Sequence, residues 1–271
     1  MIAERINAER IVLAGWGRAI LMQLAHPLVA AGVADHSTFR SGRFAPIVRL
    51  YRTVRAMTAL TFGTESERSA ALDRIRTIHR RVHGQLREAV GPFPAGTPYS
   101  AEDPALLTWV HATLLESLPM AYTLLVGPLT LEELDAYCRE AAPAARDLGA
   151  SDDVPQSKAG LDAYLARMMA SGTIVVGPTA RELAARVLEP PFGLPGAPFV
   201  RVNRVVTTGL LPPGLRRDYG LPWGPAEQRA FARHVRLLRA AHRLTPRPLR
   251  WWPEARRALA QGRFAAGPAR A

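Results

Sequence analysis

The sequence predicts an all-α protein, a single globular multi-helix domain spanning residues 1–271. Three observations carry that expectation. Strand-like alternation is scarce, apolar residues recur at helical spacing along most of the chain, and Pro/Gly clusters near 91–98, 127–128, 190–198 and 212–225 punctuate the pattern. Taken in order, helices are expected at about 5–25, 28–34, 46–62, 65–90, 103–125, 130–147, 158–170, 179–188, 225–242 and 253–260. The first stops short of Pro27. The fifth starts on Asp103-Pro104, an N-cap followed by proline at the first helical position, and Gly224-Pro225 opens a later one in the same way. Residues 190–222 are the least regular and are expected to hold a short helix or a bend over the core. The Ala/Gly/Arg-rich tail, about 263–271, is expected to fray.

Residues 11–34 are long and apolar enough to raise a membrane span, but Arg18, Gln23, His26 and Pro27 interrupt them. A charge at the bilayer centre costs about 2.5–3.5 kcal/mol on insertion scales, so a buried helix is expected instead. The opening "MIAERINAER" has neither the n-region nor the h-region of a signal peptide. Cys138 is the only cysteine, which excludes an intramolecular disulfide framework and a thiolate metal cluster. Both features fit a reducing, cytoplasmic location.

The formal net charge is +12, and Lys158 is the only lysine. The arginines are spread along the chain, and no zinc-finger spacing, RNP-like strand or basic zipper accompanies them, so no nucleic-acid partner is expected. An anionic membrane surface is compatible with the same charge, as a peripheral contact. No motif specifies an oligomeric state.

The stretch "IHRRVHG", residues 78–84, sets His79 and His83 four residues apart. On a continuous helix both imidazoles fall on or beside the stripe formed by Leu72, Ile75, Ile78, Val82, Leu86 and Val90. Arg76, Arg80 and Arg87 line the shoulder of that stripe. Gly84 removes bulk beside the second histidine, where a flat ligand could approach. An imidazole facing an apolar cavity, with guanidinium groups nearby for carboxylates, is what an axially ligated haem needs. The pair reads equally well as two core histidines satisfied by packing. A metalloprotease helix is excluded because Arg80 stands where its glutamate belongs, and no Glu-x-x-His pair exists for a di-iron bundle. A three-histidine site using His79, His83 and His111 remains open on residue types. "AGWGRAI" is half a dinucleotide fingerprint, with Ile20 in place of the third glycine and no strand before it.

A second cluster, "RLYRTVRAM", places Arg49, Arg52, Thr53, Ala56 and Leu60 on one helix face. Such a face is either a polar wall of a site or a set of arginines paired with carboxylates such as Asp35 or Asp73. A third, "LAHPLVAAGVADHSTF", holds His26, Asp35 and His36, and His111 lies in "WVHATLLES". Capping and packing explain these as readily as chemistry does.

Together, "QLAHPLVAAGVADHS", "RLYRT", "IHRRVHG", "YSAEDPALLTWVHATL", "PLTLEELDAYCRE" and "LPPGLRRDYGLPW" resemble, in order and over roughly residues 5–260, the family of the fungal mycophenolic-acid oxygenase B and the latex-clearing rubber oxygenases. The similarity is to its bacterial MpaB-like branch. The resemblance implies an all-helical domain holding b-type haem iron on a histidine, and O2-dependent oxidation or cleavage of an alkene in a small, apolar, isoprenoid-like substrate. The rubber oxygenases carry an Arg-x-x-Lys-Thr run with the haem histidine thirty residues after the threonine. Arg49, Arg52 and Thr53 occupy that run here, and thirty residues from Thr53 is His83. By this resemblance His83 is the iron ligand, His79 a packing neighbour, and Arg49, Arg52 and Thr53 line the opposite side. Arg76 and Arg80 are then candidates for the propionates, with Gly84 beside the ring.

The sequence departs from that pattern in two places. The family's lysine is Arg52, and guanidinium stays protonated and ligates metal poorly. No glutamate stands at the spacing of the family's proposed base, leaving Asp35 and His36 as candidates. The alternatives to an oxygenase are a haem-binding or haem-sensing protein without turnover and a haem-free helical module that binds a lipid or terpenoid.

Overall fold

The computed structural model describes residues 1–36, 45–190 and 193–263. Helices dominate it, and the all-α expectation holds: the only sheet among the described residues has two strands of three residues each.

The chain opens with α1 (Ile2–Ala8), a 3₁₀ helix (Arg10–Gly15) and α2 (Trp16–Leu24), where the sequence had predicted one helix over 5–25. The break lies at Glu9, which is extended and bridges to Trp251 near the end of the chain. The indole of Trp251 donates to the Glu9 carboxylate at 3.0 Å, so the interruption joins the two ends of the fold. The glycines of "AGWGRAI" serve close packing. A Cβ on Gly15 would stand 2.4 Å from the Ser117 carbonyl oxygen, and one on Gly17 would stand 2.0 Å from Thr207 Oγ1. Those contacts seat the segment on α6 (Pro104–Leu125) and α10 (Gly193–Leu210).

α3 (Pro27–His36) turns away from α2 by 106°. No single described helix is long and apolar enough to cross a membrane; this bent pair meets the length and composition requirement only when its two halves are taken together. Arg18, inside it, is 2% exposed and bonded to Glu116, Ser117 and the Leu210 carbonyl.

α4 (Ala45–Phe62) and α5 (Glu65–His79) form a helical hairpin, with Thr64 and Glu67 closing a reciprocal cap at the start of α5. The expected helix over 65–90 is corrected here. It ends at His79, and the chain enters β1 (His83–Gln85), antiparallel to β2 (Pro98–Ser100). Leu72, Ile78, Val82, Leu86 and Val90 satisfy a helical period, but Val82, Gly84 and Leu86 satisfy a period of two as well. Tertiary packing chose the second: Leu86 and Tyr99 join Leu28 and Leu106 in a small core beneath α3. The strand also spares Gly84 a helix-interior position, which costs about 1 kcal/mol relative to alanine.

α6 is the central helix, packed on the 3₁₀ helix and α2 and in contact with α7 (Leu131–Asp147) and α8 (Lys158–Ala170). Asp103 caps it, accepting from the amides of Ala105 and Leu106, as the sequence predicted. The main core gathers Trp109, Leu21, Met22, Leu24, Leu161 and Leu215, all almost fully buried. α9 (Pro178–Leu188) covers α2 and α3. Residues 193–210, expected to be irregular, form the 18-residue helix α10. Its prolines crowd into the early turns, where a missing N–H costs least, and its buried Val206 and Thr207 fix it to the core. α11 (Pro213–Asp218), α12 (Pro225–Leu244), α13 (Arg247–Arg250) and α14 (Pro253–Ala260) complete the fold. Of the tail expected to fray, Arg263 donates to the Phe62 carbonyl at 2.7 Å, and residues 264–271 lie outside the described residues.

Candidate functional site

The helix end at His79 separates the two histidines that the sequence had placed on one stripe. His79 closes α5, half-buried, and its Nδ1 is fully enclosed with no hydrogen-bond partner among the described residues. Burial lowers its pKa, opposed by the nearby charge of Glu102, so the ring is held toward its neutral form. His83 stands exposed on β1. Its carbonyl accepts a bond from His36 Nε2 at 2.9 Å, and the two rings are 6.4 Å apart.

Gly84 does not open space for a flat ligand. A Cβ there would lie 2.5 Å from the Tyr99 hydroxyl and 2.8 Å from the adjoining ring carbon, so Tyr99 already fills that position. The Tyr99 hydroxyl donates to Asp35 at 2.8 Å, and Arg87 donates to the other Asp35 oxygen at 2.6 Å. Burial first, then the Asp35 contact, pushes the phenol pKa up to about 12. Asp35, a candidate base by sequence, is thus occupied as a double acceptor that ties α3 to Tyr99 of β2 and to Arg87 just beyond β1. His36, the other candidate, is committed as a donor through Nε2. Sequence reading missed Tyr99, whose only signal was its place in "YSAEDP".

The arginines at the end of α5 lie elsewhere. Arg76 donates to the Asp147 carbonyl at 3.0 Å and approaches Asp73, while Arg80 donates to Thr77 Oγ1 at 3.0 Å. Arg52 and Thr53 are exposed on α4, and the side chain of Arg49 lies outside what the structure describes. The three-histidine alternative is not formed: among the described residues no group of three metal-ligating side chains comes together.

Two further histidines are buried. On α6, His111 keeps Nε2 enclosed without a partner among the described residues, and burial pushes its pKa down to about 4. His26, at the α2–α3 turn, is also lowered to about 4 by burial, with Asp103 opposing, and its ring lies 5.4 Å from that of Phe93. Both are depressed from an ordinary value of 6.5, so their contribution to stability is complete above pH 6.5 and is lost as pH falls toward 4. With two extra protons taken up on unfolding, stability should fall there by up to about 2.7 kcal/mol per pH unit. Denaturant titrations at several pH values should show that loss, reduced in His111→Leu. Superimposable profiles for the two proteins would disprove it.

α5 packs on α4 and reaches the end of α7 through Arg68 and Arg76, both directed at Asp147. Among the described residues it has no comparable packing against α6. A separate cavity of about 340 Å³ lies between α3, residues 85–90 and the start of α9, walled by Ala30, Ala34, Asp35, Arg87 and Thr179.

Residues 4–240 match the catalytic-domain family described as ER-bound oxygenase mpaB/B'/Rubber oxygenase. Two relatives, uncharacterized proteins of Mycobacterium tuberculosis and Mycobacterium bovis, are each 30% identical over 234 residues, covering 84% of this chain and 87% of theirs. No solved structure matches. With the match spanning most of the chain, and the helical fold predicted from the same motifs in place, this protein belongs to the mpaB/rubber oxygenase catalytic-domain family of oxygenases.

Proposed function

We propose that this oxygenase works with b-type haem, using O2 to oxidise or cleave a carbon–carbon double bond in an apolar, isoprenoid-like substrate. The observation that carries the reading is the enclosed, unpartnered Nδ1 of His79. A buried polar atom without a bond is costly, and a neutral imidazole nitrogen is a good iron donor, so the residue would suit a haem-iron ligand.

Haem, when bound, supplies the dioxygen chemistry; the chain supplies ligation, orientation and a dry setting. His79 would hold the haem iron, on the strength of its burial, whereas the thirty-residue count selects His83, the exposed alternative. Arg52 and Thr53, on the helix packed against α5, are the proposed hydrogen-bond donors toward oxygen, together with Arg49. Arg76 and Arg80 could reach propionates only by leaving their Asp147 and Thr77 partners. We further propose a cytoplasmic location and one domain for the whole chain.

Protein purified from a haem-replete host is expected to show a Soret band and about one haem per chain. A colourless protein that also fails to bind added haemin would reject the cofactor and favour the haem-free lipid-binding alternative. A haem-loaded protein that consumes no O2 with isoprenoid alkenes would favour a sensor.

A further inference from the structure

The last third of the chain carries a feature that oxygenase chemistry leaves unused. Between residues 225 and 263 stand ten arginines and only two acidic residues, Glu227 and Glu254. The net of eight there is most of the chain's +12, so the charge is concentrated in this segment rather than spread evenly as the sequence reading had expected. The arginines are not spread evenly around α12. Its apolar side, with His234, Val235 and His242, is buried, and the helix packs on α10 and α6. At about 100° per residue, Arg229, Arg233, Arg236 and Arg243 then fall together on the opposite side, all exposed. Leu237 and Leu244 sit beside them, 61% and 85% exposed, and Leu249 on α13 is 60% exposed. Glu227 does not neutralise this face, because its carboxylate accepts from the Gly224 amide at the start of the helix.

We propose that the outer face of α12, continued by Leu249, docks the protein on an anionic lipid surface. The arginines meet the headgroup phosphates, and Leu237, Leu244 and Leu249 enter the boundary of the acyl region. The pairing of features selects this occupant. Guanidinium groups alone would suit any polyanion, but nucleic acid offers nothing for three protruding leucines to bury against, whereas an amphipathic interfacial helix needs both. With its other side held by α10 and α6, α12 would lie flat on the membrane without leaving the fold.

The test is flotation of the full-length protein with vesicles of phosphatidylcholine alone or mixed with phosphatidylglycerol. Binding is expected only to the anionic vesicles, and should weaken in high salt because exposed charges are screened. The triple change Arg233→Glu, Arg236→Glu and Arg243→Glu should lower partitioning by at least about tenfold. An equal charge reversal elsewhere, Arg74→Glu, Arg139→Glu and Arg217→Glu, should leave most of the binding intact, with circular dichroism confirming the fold of both. Leu237→Ser with Leu244→Ser should make the remaining binding more sensitive to salt. Equal losses in the two triple variants would reduce the effect to net charge and overturn the proposal. So would binding to an RNA oligonucleotide but not to anionic vesicles, or to neither. None of these readouts depends on haem, so they stand or fall separately from the oxygenase reading.

Discussion

His79→Ala is expected to purify without haem, or with a few per cent of the wild-type content, while His83→Ala retains the cofactor. The enclosed Nδ1 of His79 has no hydrogen-bond partner among the described residues, and burial holds the ring toward neutrality, the form that donates to iron. His83 is exposed on a two-stranded ribbon, where a side chain can be removed without opening the interior. Misfolding is separated from ligand loss by adding free imidazole, which can occupy the space left by the missing ring. Recovery of the Soret band in His79→Ala with imidazole, and a circular dichroism spectrum like that of the wild type, are the expected results. Loss of haem in His83→Ala alone would return the ligand to the residue chosen by the thirty-residue count.

Arg18→Met should be the most destabilising single change at a position away from that site. The guanidinium is 2% exposed and bonded at 2.5 Å to Glu116, 2.7 Å to Ser117 Oγ and 2.8 Å to the Leu210 carbonyl. Methionine preserves much of the volume but strands a carboxylate, a hydroxyl and a carbonyl at the junction of α2, α6 and α10. Removing one partner of a buried pair costs about 3–5 kcal/mol. Glu116 keeps some contact with solvent, so the lower end is expected. Combining Arg18→Met with Glu116→Leu should recover part of the loss, since the stranded charge is then gone. Urea midpoints measure both variants. A loss under about 1 kcal/mol in the single variant would show that the pair contributes no more than a surface bridge does.

Local signals made most of the helices readable without a structure. Asp103-Pro104 and Gly224-Pro225 start helices where predicted, because a cap and a proline at the first turn act within a few residues of themselves. Arg18 in an apolar run argued against a membrane span, and the family motifs survive as linear strings. The sequence therefore determined the helical class, the family and the set of histidines worth testing.

Tertiary structure decided that His79 has an enclosed ring nitrogen while His83 stands exposed. From residue 78 to 90 the apolar positions obey both a helical and a strand period, so local pattern could not choose between them. The choice came from Tyr99, far along the chain, whose ring packs at Gly84 and whose hydroxyl is held by Asp35 on α3. The same holds at Glu9, where the partner that interrupts the first helix is Trp251. In both places a distant side chain overrode a local preference worth about 1 kcal/mol or less per residue. Contacts of that kind exist only once the chain has folded.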